Sequence, residues 1–140
     1  MSVAFSEAVR EMLGVGDSVE IPGWIPREDL SGLYARAHAF VYPSTFEGFG
    51  LPVLEALAAG IPTACADIPP LREVAADAAL FFDPLDESAI AQALDRITTN
   101  EGLRRKLAQS GPDRARPYTW HRTARMTLAA LLPPTILRVQ

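Results

Sequence analysis

The chain has 140 residues, a formal net charge of −4 and 49% hydrophobic residues. This length suits one domain with a buried core, and the acidic balance gives no electrostatic basis for binding nucleic acid. No apolar run reaches the roughly 20 residues that span a bilayer, and residues 1–13 lack the charged start and apolar run of a signal peptide. Cys65 is the one cysteine, so an internal disulfide is excluded and a cytoplasmic setting is indicated.

Apolar periodicity and the placement of glycine and proline predict helices that alternate, in the first part of the chain, with strands. This alternation is typical of an α/β fold, in which helices flank a parallel sheet. The strands are predicted near 19–21, 39–42, 63–66 and 79–82, and the helices near 3–13, 28–37, 52–59, 69–76, 86–98, 101–110 and 119–132.

Two of these elements carry further local predictions. Cys65 stands among small apolar residues and is expected to be buried in its strand. Asp86 is expected to cap the helix near 86–98, because a carboxylate at that position accepts hydrogen bonds from the first helical amides. The residues that recur at helical spacing on one face of this helix are Ile90, Leu94 and Ile97.

Segment 111–117 begins with Gly-Pro and ends with proline, which predicts a connection between two helices. Arg114 and Arg116 lie within it. Two arginines on such a connection fit a solvated linker better than a phosphate clamp. The segment is therefore expected to be irregular and exposed.

Several other residues with chemical potential are given structural interpretations. His38 and His121 are the two histidines, and no cysteine or carboxylate cluster stands at ligand spacing, so the sequence predicts no metal site. Trp24 and Trp120 are interpreted as core or capping aromatics in preference to stacking platforms.

The segment from Pro43 to Glu55 carries the strongest functional pattern. It follows an apolar segment that suits a buried strand, and Pro43 ends that strand. Gly48 and Gly50 permit positive φ or a close backbone approach, and Pro52 suits the first turn of a helix. The pattern predicts a strand, a glycine-bearing turn and a helix N-terminus in succession.

Two carboxylates and several free amides fall on this turn. Glu47 lies at the carboxyl end of the strand, where open α/β sheets bind ligands, and Glu55 lies inside the helix. Amides near Gly50, Leu51 and Val53 are placed to face an anion such as a diphosphate. One carboxylate can then reach a sugar and the other a ribose. The alternative is that Glu55 is a solvated helix residue and Glu47 a loop carboxylate stabilised by the helix dipole.

The run Glu47-Gly48-Phe49-Gly50-Leu51-Pro52-Val53-Leu54-Glu55-Ala56, followed by Ala59-Gly60-Ile61-Pro62, resembles the E-x7-E signature of the retaining glycosyltransferases of family 4. These enzymes have the two-domain GT-B fold. The resemblance covers the chain from about Ala4 to about Leu132. Further matching segments are Val19 to Pro26 with Leu30, Leu33 and Tyr34, then Asp67 to Pro69, Glu73-Val74, Phe81 to Pro84 and Thr119-Trp120.

The resemblance implies a role for each residue of the motif. Glu47 would be the catalytic residue that contacts the donor sugar near the reacting centre, and Glu55 would hold the nucleotide ribose. The other implied donor-binding residues are Gly48, Phe49 and Gly50 in the turn, Leu51 and Val53 through their amides at the diphosphate, and Ile25 and Arg27 near the base. Arg72 and Glu73 either border this site or form a surface ion pair.

The implied reaction transfers a sugar from a nucleoside diphosphate sugar to an acceptor, with retention at the anomeric carbon and without an essential metal or other cofactor. The donor nucleotide sugar is thus the expected partner. The acceptor is a glycan, a lipid or a small molecule, and a lipid acceptor would fit peripheral contact with a membrane.

The family's C-terminal domain begins with a strand, a helix and a second strand, which supply basic residues for the diphosphate and have no counterpart here. Residues 1–140 are therefore interpreted as a partial C-terminal, donor-binding domain with a Rossmann-like parallel sheet and flanking helices. In the strand order 3-2-1-4-5-6, the strand near 19–21 loses its neighbours and the sheet keeps an uncovered edge.

This interpretation predicts a fragment of a longer enzyme, a truncated gene product, or a domain completed by another chain or by self-association. The chain alone is not expected to catalyse transfer. Two alternatives stay open at this point. One is a non-catalytic remnant that acts as an interaction subunit through its exposed sheet, and the other is a module that binds the donor nucleotide without transferring the sugar.

Overall fold

A computed structural model describes residues 8, 10–16 and 18–132 of the chain. The chain divides into two compact units, residues 1–35 and 36–140. The first unit contains a short helical stretch at 10–12 and nearly all of helix α1, Arg27–Arg36. Of the helix predicted near 3–13, residues 3–7 and 9 lie outside the described residues. Helix α1 agrees with the helix predicted near 28–37.

The strand predicted near 19–21 is wrong, since these residues form no strand. The Val19 carbonyl accepts a hydrogen bond from the Arg10 guanidinium at 2.9 Å. An extended segment becomes a strand only when its amides and carbonyls pair with a neighbour. Among the described residues, the paired strands all belong to the second unit. Segment 19–21 therefore stays irregular.

The second unit is built on a parallel sheet of three strands in the order β1-β2-β3. Strand β1 is Phe40–Tyr42, β2 is Thr63–Ala66 and β3 is Leu80–Phe82. All four residues of the central strand β2 are buried, as expected for a strand covered on both faces. Strand β1 is the first strand in this order and pairs with β2.

Helices cover both faces of this sheet. Within β2, neighbouring residues point to opposite faces, so Cys65 packs among residues of α2 and α3 whereas Ala64 packs among residues of α4 and α5. The predicted burial of Cys65 is confirmed, and burial raises the pKa of its thiol to about 12. The helices are α2 (Leu51–Ala58), α3 (Pro69–Ala75, followed by a 3-10 turn at Ala76–Ala78), α4 (Glu87–Thr99), α5 (Glu101–Ala115) and α6 (Trp120–Leu131).

Helix α4 begins as the sequence predicts. The Asp86 carboxylate accepts hydrogen bonds from the amides of Ser88 and Ala89 at 2.8 and 3.2 Å, which confirms the cap. Ile97 is fully buried and Ile90 packs at the edge of the core, but Leu94 is exposed. The predicted apolar face is therefore narrower than its sequence spacing suggested.

The connection predicted at 111–117 is wrong, because α5 continues through Gly111 and Pro112 to Ala115. A β-carbon on Gly111 would lie 2.8 Å from the carbonyl oxygen of Leu57 in α2, so the absence of a side chain lets the two helices touch. Pro112 removes the amide that would bond to the Ala108 carbonyl. Packing of α5 on α2 outweighs these unfavourable local preferences.

Arg114 is accordingly not on a solvated linker. Its Nε donates to the Val74 carbonyl at 2.8 Å, and its Nη2 donates to the Glu73 carbonyl. These carbonyls belong to the last turn of α3, where backbone acceptors lack helical partners. The Arg114 side chain therefore ties α5 to the end of α3.

Substituting Gly111 tests the contact between α2 and α5. Gly111→Ala should lower the free energy of unfolding by about 1–3 kcal/mol, because the added carbon must displace the Leu57 backbone. Gly102→Ala in the first turn of the same helix is the matched control. Its added carbon meets only Asn100 Oδ1 at 3.5 Å, so it should be neutral or stabilising by up to about 1 kcal/mol. Urea unfolding of both variants checks this, and equal stabilities would contradict the close helix contact.

Candidate functional site

The loop from Pro43 to Gly50 leaves the carboxyl end of β1 and enters α2. In an open parallel sheet this edge is where ligands bind, because the loops there are fixed by the strands that they follow. The loop carries Glu47, and α2 carries Glu55. The predicted succession of strand, glycine-bearing turn and helix is confirmed.

Gly50 fixes the path of this loop. It has φ 93° and ψ 47°, the left-handed conformation, and stands directly before α2. A β-carbon there would lie 2.3 Å from Cδ2 of Leu71, a fully buried residue of α3. Gly50 therefore combines a positive φ with a close contact that leaves no room for a side chain, and both favour glycine. The φ of Gly48 is not positive and no atom lies within 4 Å of an added β-carbon, so no contact in the described chain requires glycine there.

The N-terminus of α2 has no side-chain cap. The first helical hydrogen bond runs from the Leu54 amide to the Gly50 carbonyl at 3.1 Å, so the amides of Leu51 and Val53 precede it and Pro52 offers none. The Val53 side chain is fully buried, which holds this first turn in place. The turn thus directs the positive end of the helix dipole and two amides toward the loop.

Glu47 is held by a residue of the strand itself. The Tyr42 hydroxyl donates a hydrogen bond of 2.6 Å to Oε1 of Glu47. This bond is the main cause that holds the pKa of the Glu47 carboxyl below its usual value. The Ser44 hydroxyl lowers this pKa further, and burial raises it by less. The Ser44 hydroxyl has a single proton, which it donates to the Phe46 carbonyl at 3.0 Å. Tyr42 is therefore the residue that both donates a hydrogen bond to Glu47 and lowers its pKa. Glu47 is an ionised carboxylate at neutral pH.

The remaining residues of the motif present both polar and apolar surface. Glu55 is an exposed residue of α2, one helical turn beyond Leu51. Phe49 makes an edge-on contact with the ring of Tyr118, with ring centres 5.8 Å apart. Phe46 is 87% exposed on the same loop. The loop therefore carries one fixed aromatic side chain and one that faces solvent.

Sequence reasoning assigned no site role to Tyr42, Phe46 or Tyr118. Tyr42 carried one usable signal, because it ends the strand five residues before Glu47 and bears a polar group on an otherwise apolar segment. Tyr118 carried none, since it lies 69 positions beyond Phe49 and only the packing of α5 brings the two rings together.

The next loop along the sheet carries an ion pair. Asp67 follows β2, and its carboxylate accepts two hydrogen bonds from the Arg72 guanidinium, one of them 2.6 Å long. Arg72 also lies over the ring of Phe81, 4.5 Å from its centre. The hydrogen bond from Arg72 is the main reason that the pKa of Asp67 is lowered. Arg72 and Glu73 were predicted either to border the site or to form a surface ion pair. Arg72 does form a surface ion pair, but with Asp67 and not with Glu73.

Ile25 and Arg27 belong to the first unit, where Ile25 is half-buried and Arg27 begins α1 with an exposed side chain. Their contact with the base stays a prediction. Trp24 and Trp120 are 86% and 83% exposed, so their interpretation as core aromatics is wrong. Trp120 stands at the first position of α6, where Thr119 provides the cap through its hydroxyl.

No group of three His, Cys, Asp or Glu side chains suited to a metal ion occurs among residues 8, 10–16 and 18–132. Over the same described residues, none of the helices has the length and apolar character required to cross a membrane.

Comparison with known proteins identifies the family of this fold and loop. Residues 5–114 match the model of the family described as glycosyl transferases group 1. The chain belongs to this family. The O-antigen chain mannosyltransferase B of Escherichia coli is 40% identical over 108 residues, which cover 77% of this chain and 28% of that protein.

Two solved structures share the fold of this group 1 glycosyltransferase chain. The sucrose-phosphate synthase from Thermosynechococcus elongatus matches with a TM-score of 0.76 and 29% identity, covering 89% of this chain and 34% of that one. WaaG, a glycosyltransferase involved in lipopolysaccharide biosynthesis, matches with a TM-score of 0.73 and 27% identity over 84% of this chain and 32% of that one. The predicted fold class, an α/β domain of GT-B type, is confirmed. The chain spans about a third or less of these relatives.

The turn at Gly50 yields a prediction with an internal control. Gly50→Ala should lower the free energy of unfolding by about 1–3 kcal/mol, because it combines a left-handed backbone with a clash against Leu71. Gly48→Ala should change it by less than about 0.5 kcal/mol, since its side chain would meet open space. Chemical denaturation of both variants checks the difference, and a stable Gly50→Ala protein would contradict the constraint at the start of α2.

Proposed function

We propose that the chain is the donor-binding part of a retaining glycosyltransferase of family 4, which transfers a sugar from a nucleoside diphosphate sugar to a glycan acceptor. The observation that carries this proposal is the uncapped N-terminus of α2 beside an ionised Glu47, in a chain of the group 1 family. Residues 1–140 then correspond to a partial C-terminal domain, and the relatives' greater length is consistent with an acceptor-binding part elsewhere.

The donor diphosphate would lie at the first turn of α2. The amides of Leu51 and Val53 lack helical acceptors, and a phosphate oxygen is the acceptor that a helix N-terminus favours. The left-handed Gly50 lets the loop approach this turn without a side chain in the way. Gly48 and Phe49 would line the same approach. Backbone amides thus supply much of the phosphate binding in this proposal.

Glu47 would contact the sugar near its anomeric carbon. Positive charge develops on the sugar ring when the bond to the diphosphate breaks, and a carboxylate that is ionised and oriented before the reaction stabilises that charge. Tyr42 orients this carboxylate through a short hydrogen bond, which also lowers the pKa of Glu47.

Glu55 would accept hydrogen bonds from the ribose hydroxyls of the donor. Its position on the exposed side of α2, one turn beyond the proposed phosphate amides, suits a group attached to the diphosphate. The base would lie near Ile25 and Arg27. No cofactor or metal is part of this proposal, and the enzyme would act in the cytoplasm, with peripheral membrane contact if the acceptor is a lipid-linked glycan.

We propose further that this chain binds the donor and does not transfer the sugar by itself. Arg72 is engaged by Asp67, and Arg114 is engaged by the carbonyls at the end of α3. In this proposal neither guanidinium is assigned to the leaving diphosphate. The remaining positive charge and the acceptor would come from the rest of a longer enzyme or from another chain.

Calorimetric titration with uridine, guanosine and adenosine diphosphates and their sugars tests the site. Mannose heads the panel of sugars because the Escherichia coli relative is a mannosyltransferase. Glu55→Ala should weaken binding of the free nucleoside diphosphate by about 10- to 100-fold, the worth of hydrogen bonds to a charged group. Glu47→Ala should change the affinity for the free nucleoside diphosphate by no more than about twofold. It should remove the additional affinity that the parent has for the nucleotide sugar.

Asp95→Ala, which removes an exposed carboxylate late in α4, is the matched control and should bind like the parent. Equal binding by the parent and both site variants would contradict the assignments of Glu47 and Glu55. A folded parent that binds no donor would contradict the donor site itself and leave an interaction subunit. Binding without transfer, even when the remaining parts of a relative are supplied, would identify a donor-binding module.

A further inference from the structure

Tyr42 joins the sheet to the proposed catalytic carboxylate. It is the last residue of β1, and its backbone pairs in register with Cys65 at the centre of the buried strand β2. Its ring stacks on that of Phe40, with ring centres 5.9 Å apart and planes inclined by 16°. The Tyr42 hydroxyl therefore projects from a part of the molecule that is fixed by backbone pairing and by ring packing.

Glu47 lies on a loop, and loop side chains are held less firmly than those of strands. The hydrogen bond of 2.6 Å from Tyr42 falls in the short range that is typical of a hydroxyl donating to a carboxylate. This bond spans five residues and closes the first half of the loop. Through this contact the end of β1 acts directly on the Glu47 side chain.

We infer that Tyr42 is a positioning residue, which orients the Glu47 carboxylate for the donor sugar by holding Oε1 from the end of β1. This inference rests on the proposed function, since it assigns Tyr42 a role in the work of Glu47. Tyr42 itself touches no reacting atom in this scheme. The Tyr42 hydroxyl, fixed on a rigid strand, restricts the Glu47 side chain before the nucleotide sugar binds. Less side-chain conformational freedom is then lost on binding.

A purely structural role is the alternative, in which the bond only ties the loop to the sheet. The two roles differ in what Tyr42→Phe changes. This variant keeps the ring and its stacking on Phe40 but removes the hydroxyl. A structural tie would affect all ligands alike, whereas a positioning residue would affect the contribution of the sugar through Glu47.

The first measurement requires no ligand. The pKa of Glu47 is followed by carbon-13 NMR of its side-chain carboxyl, assigned by its disappearance in Glu47→Gln. In Tyr42→Phe this pKa should rise toward the usual glutamate value, because the main cause that lowers it is gone. Tyr118→Phe is the matched control, since the Tyr118 hydroxyl contacts Arg114 and the Glu73 carbonyl and should leave the pKa of Glu47 unchanged.

The second measurement uses the donor. Tyr42→Phe should lower the affinity for the nucleotide sugar about tenfold, the worth of one hydrogen bond to a charged group, while the free nucleoside diphosphate binds as before. In a double-mutant cycle, adding Tyr42→Phe to Glu47→Gln should cause no further loss. A loss of equal size for both ligands, or losses that simply add, would overturn the positioning role.

The two measurements separate the inference from the proposed function. An unchanged pKa of Glu47 in Tyr42→Phe overturns the role of Tyr42, even when the parent binds the donor. A raised pKa in a protein whose parent binds no nucleotide sugar overturns the proposed function, and the positioning role falls with it. A raised pKa together with a loss confined to the sugar supports both.

The dependence of stability on pH is a third readout with a defined sign. A carboxyl group whose pKa is lowered in the folded protein stabilises that state at pH values above its unfolded pKa. This contribution is lost as the pH falls through the folded pKa. The parent should therefore exceed Tyr42→Phe in stability at neutral pH, and the difference should shrink on acidification. A difference that persists after Glu47 is protonated would indicate a structural tie instead.

Discussion

The left-handed turn at Gly50, closed against Leu71, is the constraint on which the candidate site depends. It joins a loop that begins at the sheet to a helix whose first turn is anchored by the buried side chain of Val53. Because the loop is fixed at both ends, Glu47 and the first amides of α2 are presented together. A side chain at Gly50 would have to move α3 or the start of α2, and either change would disturb the site.

The C-terminal helices support this arrangement from a distance along the chain. Helix α5 touches α2 where Gly111 faces Leu57, and Arg114 binds the last carbonyls of α3. The same Arg114 lies 5.6 Å from the ring of Tyr118, whose edge-on contact with Phe49 reaches the site loop. The path from α5 to the loop therefore consists of direct contacts. We expect changes in α5 to act on the site through packing, without any contact with the ligand.

The electrostatic character of the site follows from the distribution of these groups. Glu47 precedes the uncapped end of α2 and Glu55 lies within that helix, whereas the guanidiniums of Arg72 and Arg114 pair with Asp67 and with a carbonyl of α3. A phosphate at this position would rely on backbone amides and the helix dipole, whose effect is modest compared with that of a full positive charge. Under the proposed function, these groups would serve recognition of the donor, and further positive charge would come from elsewhere in a longer enzyme.

The strands of the second unit, the cap at Asp86, the burial of Cys65 and the turn that carries Glu47 were predictable from the sequence, since each depends on local spacing and on the conformations of glycine and proline. Three features became visible in the folded chain alone: 19–21 forms no strand, α5 passes through Gly111 and Pro112, and Tyr42 donates a hydrogen bond to Glu47. A strand requires a partner, a helix with poor local preferences requires a surface to pack on, and a hydrogen bond across a loop requires the loop to curve back. These conditions are set by distant parts of the chain, so local sequence does not reveal them.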